Sequence, residues 1–382
     1  MSQYAYVSTN ILSGELLASS LPITAQQFGR TVSLAGTFTG SLELGAQVPA
    51  SLLATWIGAV EPWKSVLWCL QDQQPVWCGP ITGWPHQSIT SGDLPLAAST
   101  MEAVFQCRQI SETLTYTNMD VFEIFRSLAR YAMAKTPNGA IAGLILGDTM
   151  SGITDSITFD GSQLQKVYDA WSFLISEYGI EYGIRPALSP DGTLCMYLDL
   201  GYPQIGRSLA QSGLQITFPG QQVLDYQYSR VAQAGPANDV VATAATGTAT
   251  LTSRAPHGVV TAELDQGYPL LEDSISLTGL NAVSQAAVNT TADEQAAIES
   301  ITAMTTPVVK LGAEGFPKAN EVLLGDWTGF AATSPLHPAD PETGAPGLMI
   351  NGRITSWTLY PPGGQQQEAT WFTLGQVAGV TS

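Results

Sequence analysis

Residues 28–44 read FGRTVSLAGTFTGSLEL, and this stretch decides the fold class. Apolar residues and glycines occupy the even positions, apart from Arg30, while the odd positions from Thr31 onward hold Thr, Ser, Ala and Glu. A period of two is expected of a strand with one buried face. Gly36 and Gly40 fall on the inward face, where glycine is typical of a bulge or bend. The stretch therefore predicts a curved sheet with its even-numbered side chains in the core.

Working outward, a hairpin and a further strand complete a β-rich first segment, residues 1–112. Two apolar runs, 65–70 and 76–79, lie on either side of a polar, proline-containing turn at 71–75. Two such runs around a turn predict a β-hairpin. Residues 101–110 predict another strand, so the first segment is expected to be all β.

Residues 113–215 change to a helical period. Asn118 is placed to cap a helix whose apolar residues recur every three or four positions, and the sequence PNG at 137–139 ends it. A second helix is predicted from about Ser162 to Gly179, because its apolar residues keep the same spacing and glycine commonly terminates helices.

Two strands, 180–188 and 193–200, follow these helices and are joined by the turn sequence SPDG at 189–192. Helices followed by strands predict a compact α+β insert. The sequence thus predicts a mainly β protein in three parts, which are a barrel-like β-domain at 1–112, an α+β insert at 113–215 and a second barrel-like β-domain at 216–382.

The last segment returns to β-structure around one helix. Residues 282–305, rich in Ala and Thr, predict that helix, with Ile298 and Ile301 facing inward. A loop rich in Pro and Gly at 334–347 is expected to be mobile or to become buried only in an assembly. The strand candidates are 223–231, 239–243, 308–311, 321–327, 352–360 and 368–374.

Charge is scarce and unbalanced in this chain of 382 residues. Charged residues make up 12%, about half the usual share, and such depletion is typical of surfaces buried in assemblies, although an ordinary soluble β-protein is the alternative. The net charge is -18 and no basic arm or patch is present, which argues against specific nucleic-acid binding. An acidic lining would suit a channel through which DNA passes, because it repels phosphates, but on charge alone simple solubility is the favoured explanation.

Cysteine and histidine give no sign of a metal or catalytic centre. The cysteines are expected to be small buried apolar side chains in a reducing compartment; they are Cys69, Cys78, Cys107 and Cys195. The histidines are all expected in loops beside prolines; they are His86, His257 and His337. No zinc-like spacing, nucleophile elbow or phosphate-binding loop occurs, and no apolar run reaches the roughly 20 residues of a membrane span.

Two weaker patterns keep alternatives open. Asp340 and Glu342 lie in the long loop and suggest a weak cation site, although a solvated loop is the simpler interpretation. Trp63, Trp68, Trp77 and Trp84 suggest a sugar-binding groove, but Trp68 and Trp77 fall within the hairpin strands, where core or interface packing is more economical.

Four stretches resemble the minor tail proteins of long-tailed phages that infect actinobacteria. Residues 4–44, YAYVSTNILSGELLASSLPITAQQFGRTVSLAGTFTGSLEL, resemble the opening of that family, which has a GELP-like turn and an aGtFsGsl-like strand. WKSVLWCLQDQQPVWCGPITGW at 63–84 resembles the hairpin that follows there. LGDWTGF at 324–330 and INGRITSWTLYPPGGQQQEATWFTLG at 350–375 resemble its closing strands. The order and spacing of these motifs carry the resemblance across both β-segments.

The resemblance implies a relative of the baseplate hub that lies under the spike of contractile tails. There, two barrel-like domains lie side by side, and three subunits form six similar lobes that match a six-fold tube to a three-fold tip. It implies a non-enzymatic virion protein of the tail tip that forms a homotrimeric ring, lets DNA pass and is assembled in the host cytoplasm. The implied partners are distal tail or tail-tube proteins, the tape measure protein and tip or receptor-binding proteins. No catalytic residue, cofactor or metal is expected.

The chain departs from that family in two places. The hairpin turn is Asp72-Gln73 instead of an Asp-Gly type, so a different turn geometry is expected. No segment resembles a peptidoglycan-cleaving or fibre domain, so lytic or receptor-binding activity is expected on another chain. Two other functions stay open, a carbohydrate-binding adhesion module of the tail tip and, with no motif to locate it, an acidic hydrolase using an Asp/Glu pair.

Overall fold

The computed structural model describes residues 2–45, 48–85, 92–220, 223–227, 237–246, 249–253, 256–277, 285–299, 307–363 and 367–381. The fold is mainly β with large antiparallel sheets, which confirms the predicted fold class. The chain divides into two compact units. The first comprises Met1–Asp225, Val309–Thr373 and Val380–Ser382, and the second Tyr226–Val308 and Leu374–Gly379. The three-part division at 112/113 and 215/216 stays a prediction.

The described strands, numbered along the chain, are β1 (Tyr4–Asn10), β2 (Leu16–Ala18), β3 (Ile23–Thr31), β4 (Thr37–Glu43), β5 (Ser65–Gln71), β6 (Gln74–Gly83), β7 (Asp93–Ser99), β8 (Leu114–Thr115), β9 (Met119–Asp120), β10 (Leu144–Ile145), β11 (Thr154–Asp155), β12 (Thr158–Phe159), β13 (Glu181–Leu188), β14 (Leu194–Gly201), β15 (Leu214–Phe218), β16 (Val223–Gln227), β17 (Asp239–Thr246), β18 (Ala249–Thr252), β19 (Glu272–Leu277), β20 (Val308–Gly312), β21 (Trp327–Ala332), β22 (Leu348–Tyr360) and β23 (Ala369–Thr381). The helices are α1 (Ala50–Ala59), α2 (Glu102–Gln106), α3 (Val121–Met133), α4 (Val167–Tyr178), α5 (Leu209–Ser212), α6 (Thr261–Asp265) and α7 (Gln285–Glu299).

One large sheet takes strands from both ends of the chain. Its order is β16-β20-β23-β22-β3-β4-β7-β6-β5-β1-β2, and β21 pairs with β22 on one side and, in parallel, with β15 on the other. The pairing that joins the two ends is antiparallel between β3 and β22, with Phe28 opposite Leu359 and Arg30 opposite Trp357. The first and last β-segments of the sequence therefore share a sheet.

An aromatic cluster forms the core under this junction. Phe28 and Phe38 stack with their ring centroids 6.3 Å apart, Trp77 lies 5.7 Å from Phe38, and Trp357 meets Phe28 edge-on at 6.2 Å. All four side chains are at most 2% exposed. The Trp77 indole N–H donates to the carbonyl of Gly29 at 2.9 Å, so its one polar atom is satisfied in the core.

The stretch 28–44 forms two strands instead of one. The even positions Phe28, Phe38 and Leu42 are buried as predicted, but the chain reverses between Thr31 and Thr37, and β3 pairs with β4. Leu34, in the turn, is 55% exposed instead of buried. Apolar residues continue to alternate through the turn, and the period alone therefore does not reveal the reversal.

Two helices lie in the first segment, where only strands were expected. Residues 101–110 do not form a strand, because Glu102–Gln106 is helix α2, which buries Met101, Val104 and Phe105. Their spacing of three and four is helical and was available in the sequence. The second is α1, which was not predicted and which, unlike α2, buries almost nothing.

The insert contains the two predicted helices with shifted starts. Asp120, and not Asn118, caps α3, because its carboxylate accepts the N–H of Phe122 at 2.9 Å. The second helix, α4, begins at Val167 after a single 3-10 turn at 161–163, and it ends at Gly179 in the left-handed conformation as predicted. The two helices pack through Phe125 and Trp171, whose rings stack at 4.4 Å.

Behind these helices, β13 and β14 pair antiparallel, and the short β10 adds in parallel to β14. The predicted strands 180–188 and 193–200 and the turn between them are therefore confirmed to within a residue or two.

The second unit has its own sheet and core. Strand β17 pairs with β18 in antiparallel and with β19 in parallel fashion. Helix α7 packs on this sheet, where buried Val288 and Ala292 contact Ala242 and Ala244. Residues 285–299 confirm the predicted helix in part, while the inward positions assigned to Ile298 and Ile301 lie outside the described side chains.

The other C-terminal expectations mostly hold. Strands near 223, 239, 308, 352 and 368 are present, but the predicted strand 321–327 is wrong, because β21 begins only at Trp327. A 3-10 turn at 319–321 and Gly325, with a φ of +88°, occupy that stretch instead. The loop 334–347 is irregular as expected. No described helix is both long and apolar enough to cross a bilayer.

Candidate functional site

The residues that could have formed a metal or acid–base centre are not brought together. Within the described ranges, no three His, Cys, Asp or Glu side chains cluster as a metal would require. His86 lies outside the described residues. His257 lies in a turn of the second unit, its Nδ1 2.8 Å from Oδ2 of Asp293, whose Oδ1 accepts the N–H of Gly258 at 2.7 Å. His337 lies in the long loop, where its N–H donates to the carbonyl of Ser334 at 3.0 Å.

Three of the four cysteines are buried and all four are free thiols. In the hairpin, Cys69 lies opposite Trp77 and Cys78 opposite Trp68, so the two cysteines are not cross-strand partners. Burial raises the pKa of both thiols, which keeps them protonated. The expectation of buried cysteines is wrong for Cys107, which is exposed just after α2.

The tryptophans do not form a common groove. Trp68 and Trp77 are buried, with the Trp68 indole N–H donating to the Thr9 hydroxyl at 2.9 Å. Trp84 is half-buried and donates to the carbonyl of Val60 at 3.0 Å. Trp63, 46% exposed, faces an open cleft, which has a volume of about 520 Å³ and is also lined by Leu12, Lys64 and Cys107.

Asp340 serves the turn of its own loop. Its Oδ1 accepts the N–H of Thr343 at 2.7 Å, the hydroxyl of Thr343 at 2.9 Å and the N–H of Glu342 at 2.9 Å. These hydrogen bonds, led by those from Thr343, hold the pKa of Asp340 below its ordinary value. The structure gives Asp340 a turn-forming role, in keeping with the simpler interpretation of the sequence.

Helix α1 is an apolar surface helix. Its ten residues, ASLLATWIGA, include no charged side chain, and only Ala59 is buried. Pro49 precedes the first turn, where its fixed φ is compatible with a helix, and Ala and Leu favour helical structure. Leu52 is 40% exposed, and Trp56 and Ile57 are half-buried. A surface helix normally turns a charged face to water, and α1 has no charged side chain to present there.

The helix lies beside one end of the large sheet. It contacts β2, the last strand in the sheet order, and the Ser8 hydroxyl donates to the carbonyl of Ala59. Leu16 of β2 is 55% exposed. We call this surface, made by α1 and β2, the α1–β2 face. A terminal strand has backbone groups left for pairing, and such edges are readily used in association.

Four arginines meet where the insert joins the large sheet. Arg353 of β22 pairs with Glu181 of β13, with Nη2–Oε2 at 2.5 Å. Arg207 pairs with Asp326 at 2.6 Å, and Arg185 pairs with Asp199 at 2.7 Å. Arg30 of β3 donates instead to a backbone carbonyl, that of Ile184, at 2.9 Å. We call Arg30, Arg185, Arg207 and Arg353 the arginine junction.

Neither the α1–β2 face nor the arginine junction was predicted from the sequence. For the arginine junction the one available signal was Arg30, which interrupts the apolar face of 28–44. The partners of the four arginines come from β13, β14 and the segment before β21, so only the fold reveals the cluster. For α1, Leu52 and Trp56 keep an i, i+4 spacing, as do Leu53 and Ile57, so a helical signal was available in the sequence.

Comparison with known proteins identifies the fold. No family model and no curated protein matches the sequence. Among solved structures, the 43 kDa tail protein of prophage MuSo2 from Shewanella oneidensis superposes with a TM-score of 0.58 at 10% identity, over 97% of this chain and 98% of that one. The tail protein from Neisseria meningitidis MC58 superposes with a TM-score of 0.56 at 13% identity, over 98% and 96%. Prophage tail protein gp18 from Listeria monocytogenes EGD-e gives 0.52 at 10% identity, over 97% and 94%. At these identities the likeness shows a shared fold.

Proposed function

We propose that this chain is a structural, non-enzymatic tail protein of a phage virion, which forms a homotrimeric hub ring at the tail tip. The observation that carries the proposal is the extent of the structural likeness. Three proteins described as tail proteins share the fold over 94% or more of both chains, so the likeness covers the whole molecule and not one common module. The motifs that resemble minor tail proteins of actinobacterial long-tailed phages point the same way.

The surface of the chain suits assembly. An uncharged helix that buries only Ala59 would cost free energy if it stayed in water, and covering the α1–β2 face removes that cost. A specific interface buries about 800 Å² on each partner, which α1 and the adjoining strand can supply in part. We infer that this face lies between neighbouring subunits of the ring, where one copy's α1–β2 face meets a different surface of the next copy.

The charge of the chain fits a ring around DNA. A net charge of -18 with so few basic residues gives a lumen wall little means of holding phosphates. Repulsion over a Debye length of about 8–10 Å is enough to act across a narrow channel. In this proposal the ring joins tail-tube or distal tail proteins and the tape measure protein to the tip or receptor-binding proteins.

Two measurements test the proposal, the mass of the purified protein in solution and the position of the chain in the virion. Light scattering on the purified protein at rising concentration is expected to reach three times the monomer mass. Leu52→Asp, on the α1–β2 face, is expected to shift the protein to monomer, because it places a charge in the interface. Leu270→Asp is the matched control, since Leu270 is 55% exposed on the second unit. A wild-type protein that stays monomeric, together with particle images that place the chain away from the tail axis, would overturn the proposal.

One observation supports the second candidate, a carbohydrate-binding module. Trp63 is exposed in a cleft of about 520 Å³, and an open aromatic face is a usual platform for sugars. In a screen of host wall polysaccharides, saturable binding that Trp63→Ala abolishes would favour this function. Trp84→Ala is expected to act on stability instead, because the Trp84 indole is bonded to Val60.

A further inference from the structure

A cavity of about 280 Å³ opens within the first unit, beside the arginine junction. Its polar lining includes Arg30, Arg185, Asp199, Gln204 and Arg207. Three of the chain's fourteen basic side chains therefore line one cavity of a protein with a net charge of -18. A water molecule occupies about 30 Å³ in the liquid, so the cavity can hold a small polyatomic ion with some of its hydration.

Arg30 is the unusual member of this lining. It is only 7% exposed, and within the described ranges its guanidinium has a single hydrogen bond, from Nη2 to the carbonyl of Ile184. Its Nε and Nη1 have no acceptor in those ranges, and neither nitrogen is completely shielded from solvent. Arg30 lines the cavity, so its side chain brings free N–H donors and a permanent positive charge to it.

Arg30 forms no ion pair within the described ranges. Arg185 and Arg207 are each matched by their own carboxylate, of Asp199 and Asp326. The carboxylate that most favours the charged form of Arg30 is that of Glu102, although the two side chains do not form an ion pair. Burial raises the pKa of Glu102. Burial also lowers the pKa of Arg30, which reflects the cost of holding an unpaired cation out of water.

The two other arginines present donors at the rim. Arg185 uses Nε and Nη2 for Asp199, and Arg207 uses Nε and Nη2 for Asp326 and the carbonyl of Glu321. The Nη1 group of each has no protein acceptor in the described part of the chain. Each free Nη1 group can donate to an oxyanion, and the hydrogen bond is charge-assisted because guanidinium is always protonated.

We propose that this cavity binds a small free oxyanion, of phosphate or carboxylate type, on the guanidinium of Arg30, with Arg185 and Arg207 as the other basic side chains of the lining. The site is independent of the oligomeric state argued above. Its occupant supplies the missing counter-charge at the joint between β3, β13 and the segment 204–207. A ligand that binds only the folded state stabilises it, so the anion is expected to strengthen this joint.

The test is a titration at constant ionic strength. Inorganic phosphate and malonate are titrated into the full chain in a calorimeter, with sodium chloride as the matched blank, and thermal unfolding is followed in parallel. Saturable heat and a rise in Tm with phosphate or malonate, beyond the chloride blank, are expected. Arg30→Lys keeps the charge but loses the fixed N–H donors of the guanidinium and is expected to weaken binding by about tenfold or more.

Asp199→Asn removes the one acidic side chain of the lining and frees Arg185, so it is expected to bind the anion more tightly than the wild type. Arg130→Gln is the control, since Arg130 lies on α3 away from the cavity and is expected to leave binding unchanged. The proposal is overturned if phosphate and malonate both give only the chloride response. Equal affinity in Arg30→Lys and the wild type, or no tightening in Asp199→Asn, also overturns it.

A comparison of anion binding by the assembled protein and by the monomer distinguishes the source of the oxyanion. If a carboxylate from a neighbouring chain fills the cavity in the assembly, the assembled protein loses the anion binding that the monomer shows, which contradicts a free ion as the occupant. Retained binding in both states supports the free ion.

Discussion

The Arg353 guanidinium and the Glu181 carboxylate form a two-point ion pair, with Nη1 to Oε1 at 2.9 Å and Nη2 to Oε2 at 2.5 Å. It ties β22 of the large sheet to β13 of the insert. The Arg353 side chain is fully buried, and its Nε also donates to the carbonyl of Gly325 at 3.1 Å. We predict that Glu181→Gln lowers the free energy of unfolding by about 3–5 kcal/mol, because it leaves a buried charge without its partner.

Urea unfolding, followed by tryptophan fluorescence, measures this loss. The matched control is Lys318→Met, which breaks an ion pair with Asp72 whose two side chains are 35% and 38% exposed. Exposed pairs contribute less than about 1 kcal/mol, so the control is expected to remain close to the wild type. Equal losses in the two variants would show that the Arg353–Glu181 pair does not hold the joint.

The hairpin turn offers a prediction with the opposite sign. Asp72 and Gln73 have φ values of +51° and +66°, as in the primed turns that suit two-residue hairpins, so the expected change of turn geometry is not seen. A left-handed backbone costs a residue other than glycine about 1 kcal/mol. Gln73→Gly is therefore expected to stabilise the protein by up to about that amount, seen as a higher urea midpoint.

Gln74→Gly is the control for this variant. Gln74 is the exposed first residue of β6, where glycine is expected to destabilise the strand. If Gln73→Gly is no more stable than Gln74→Gly, the left-handed geometry of the turn is wrong.

Asp120 connects helix α3 to the loop before β11 and makes stability depend on pH. Burial of its carboxylate opposes ionisation, but hydrogen bonds from the N–H groups of Ser151 and Gly152 and from the Ser151 hydroxyl outweigh burial. The pKa of Asp120 therefore lies below its ordinary value. A lowered pKa in the folded state contributes stability above the unfolded value of about 3.9, and this contribution is lost as pH falls through the folded pKa.

We accordingly predict that Asp120→Asn costs about 1–3 kcal/mol near neutral pH, since hydrogen bonds to a charged acceptor are lost. The gap between variant and wild type should narrow below about pH 4. Urea unfolding of the variant and the wild type, at neutral pH and below about pH 4, measures the loss of stability and its narrowing. Asp148→Asn, at an exposed position without a hydrogen bond in the described residues, serves as the control. A gap that is constant from neutral to acid pH would contradict the role given to the ionised carboxylate.

Sequence periodicity predicts those elements whose environment is simple. Strands β13, β14 and β22 and helix α4 follow from apolar spacing and from turn residues such as Gly179. Sequence periodicity fails where tertiary contacts determine the local backbone structure. The stretch before β21 is apolar enough for a strand, but Asp326 accepts bonds from Arg207, and Gly325 adopts a positive φ that a strand would not allow.

The candidate site depends on contacts that no local pattern encodes. Arg30 stands out as a charged residue on an inward face, and that anomaly was visible in the sequence. The group that Arg30 contacts was not visible in the sequence, because Ile184 is separated from Arg30 by 154 positions. Likewise, the apolar run of α1 gives no sign of whether it is core or surface, since exposure depends on the packing of distant strands.

Thiol reactivity tests the environment of the cysteines. Cys69, Cys78 and Cys195 are buried, and Cys107 is exposed. One fast-reacting thiol is expected when the native protein meets a disulfide reagent such as Ellman's, against four in denaturant, because the reagent does not reach a buried thiol. Cys107→Ser should remove the fast phase, while Cys195→Ser should leave it. Two or more fast thiols in the native protein would contradict the burial of Cys69, Cys78 and Cys195.

Two glycines with opposite surroundings test the packing of the large sheet and of α1. A Cβ added at Gly79 of β6 would lie 1.8 Å from the carbonyl oxygen of Ser99 in β7, whereas nothing lies within 4 Å of one added at Gly58 of α1. Gly79→Ala must force the backbones of β6 and β7 apart, and we predict a loss of about 3 kcal/mol or more. Gly58→Ala should gain about 0.5–1 kcal/mol, because alanine favours a helix over glycine. The urea midpoints of Gly79→Ala and Gly58→Ala test both predictions, and the two variants are matched because each substitution adds the same methyl group. A Gly79→Ala protein as stable as Gly58→Ala would mean that β6 and β7 do not approach each other as closely as their pairing requires.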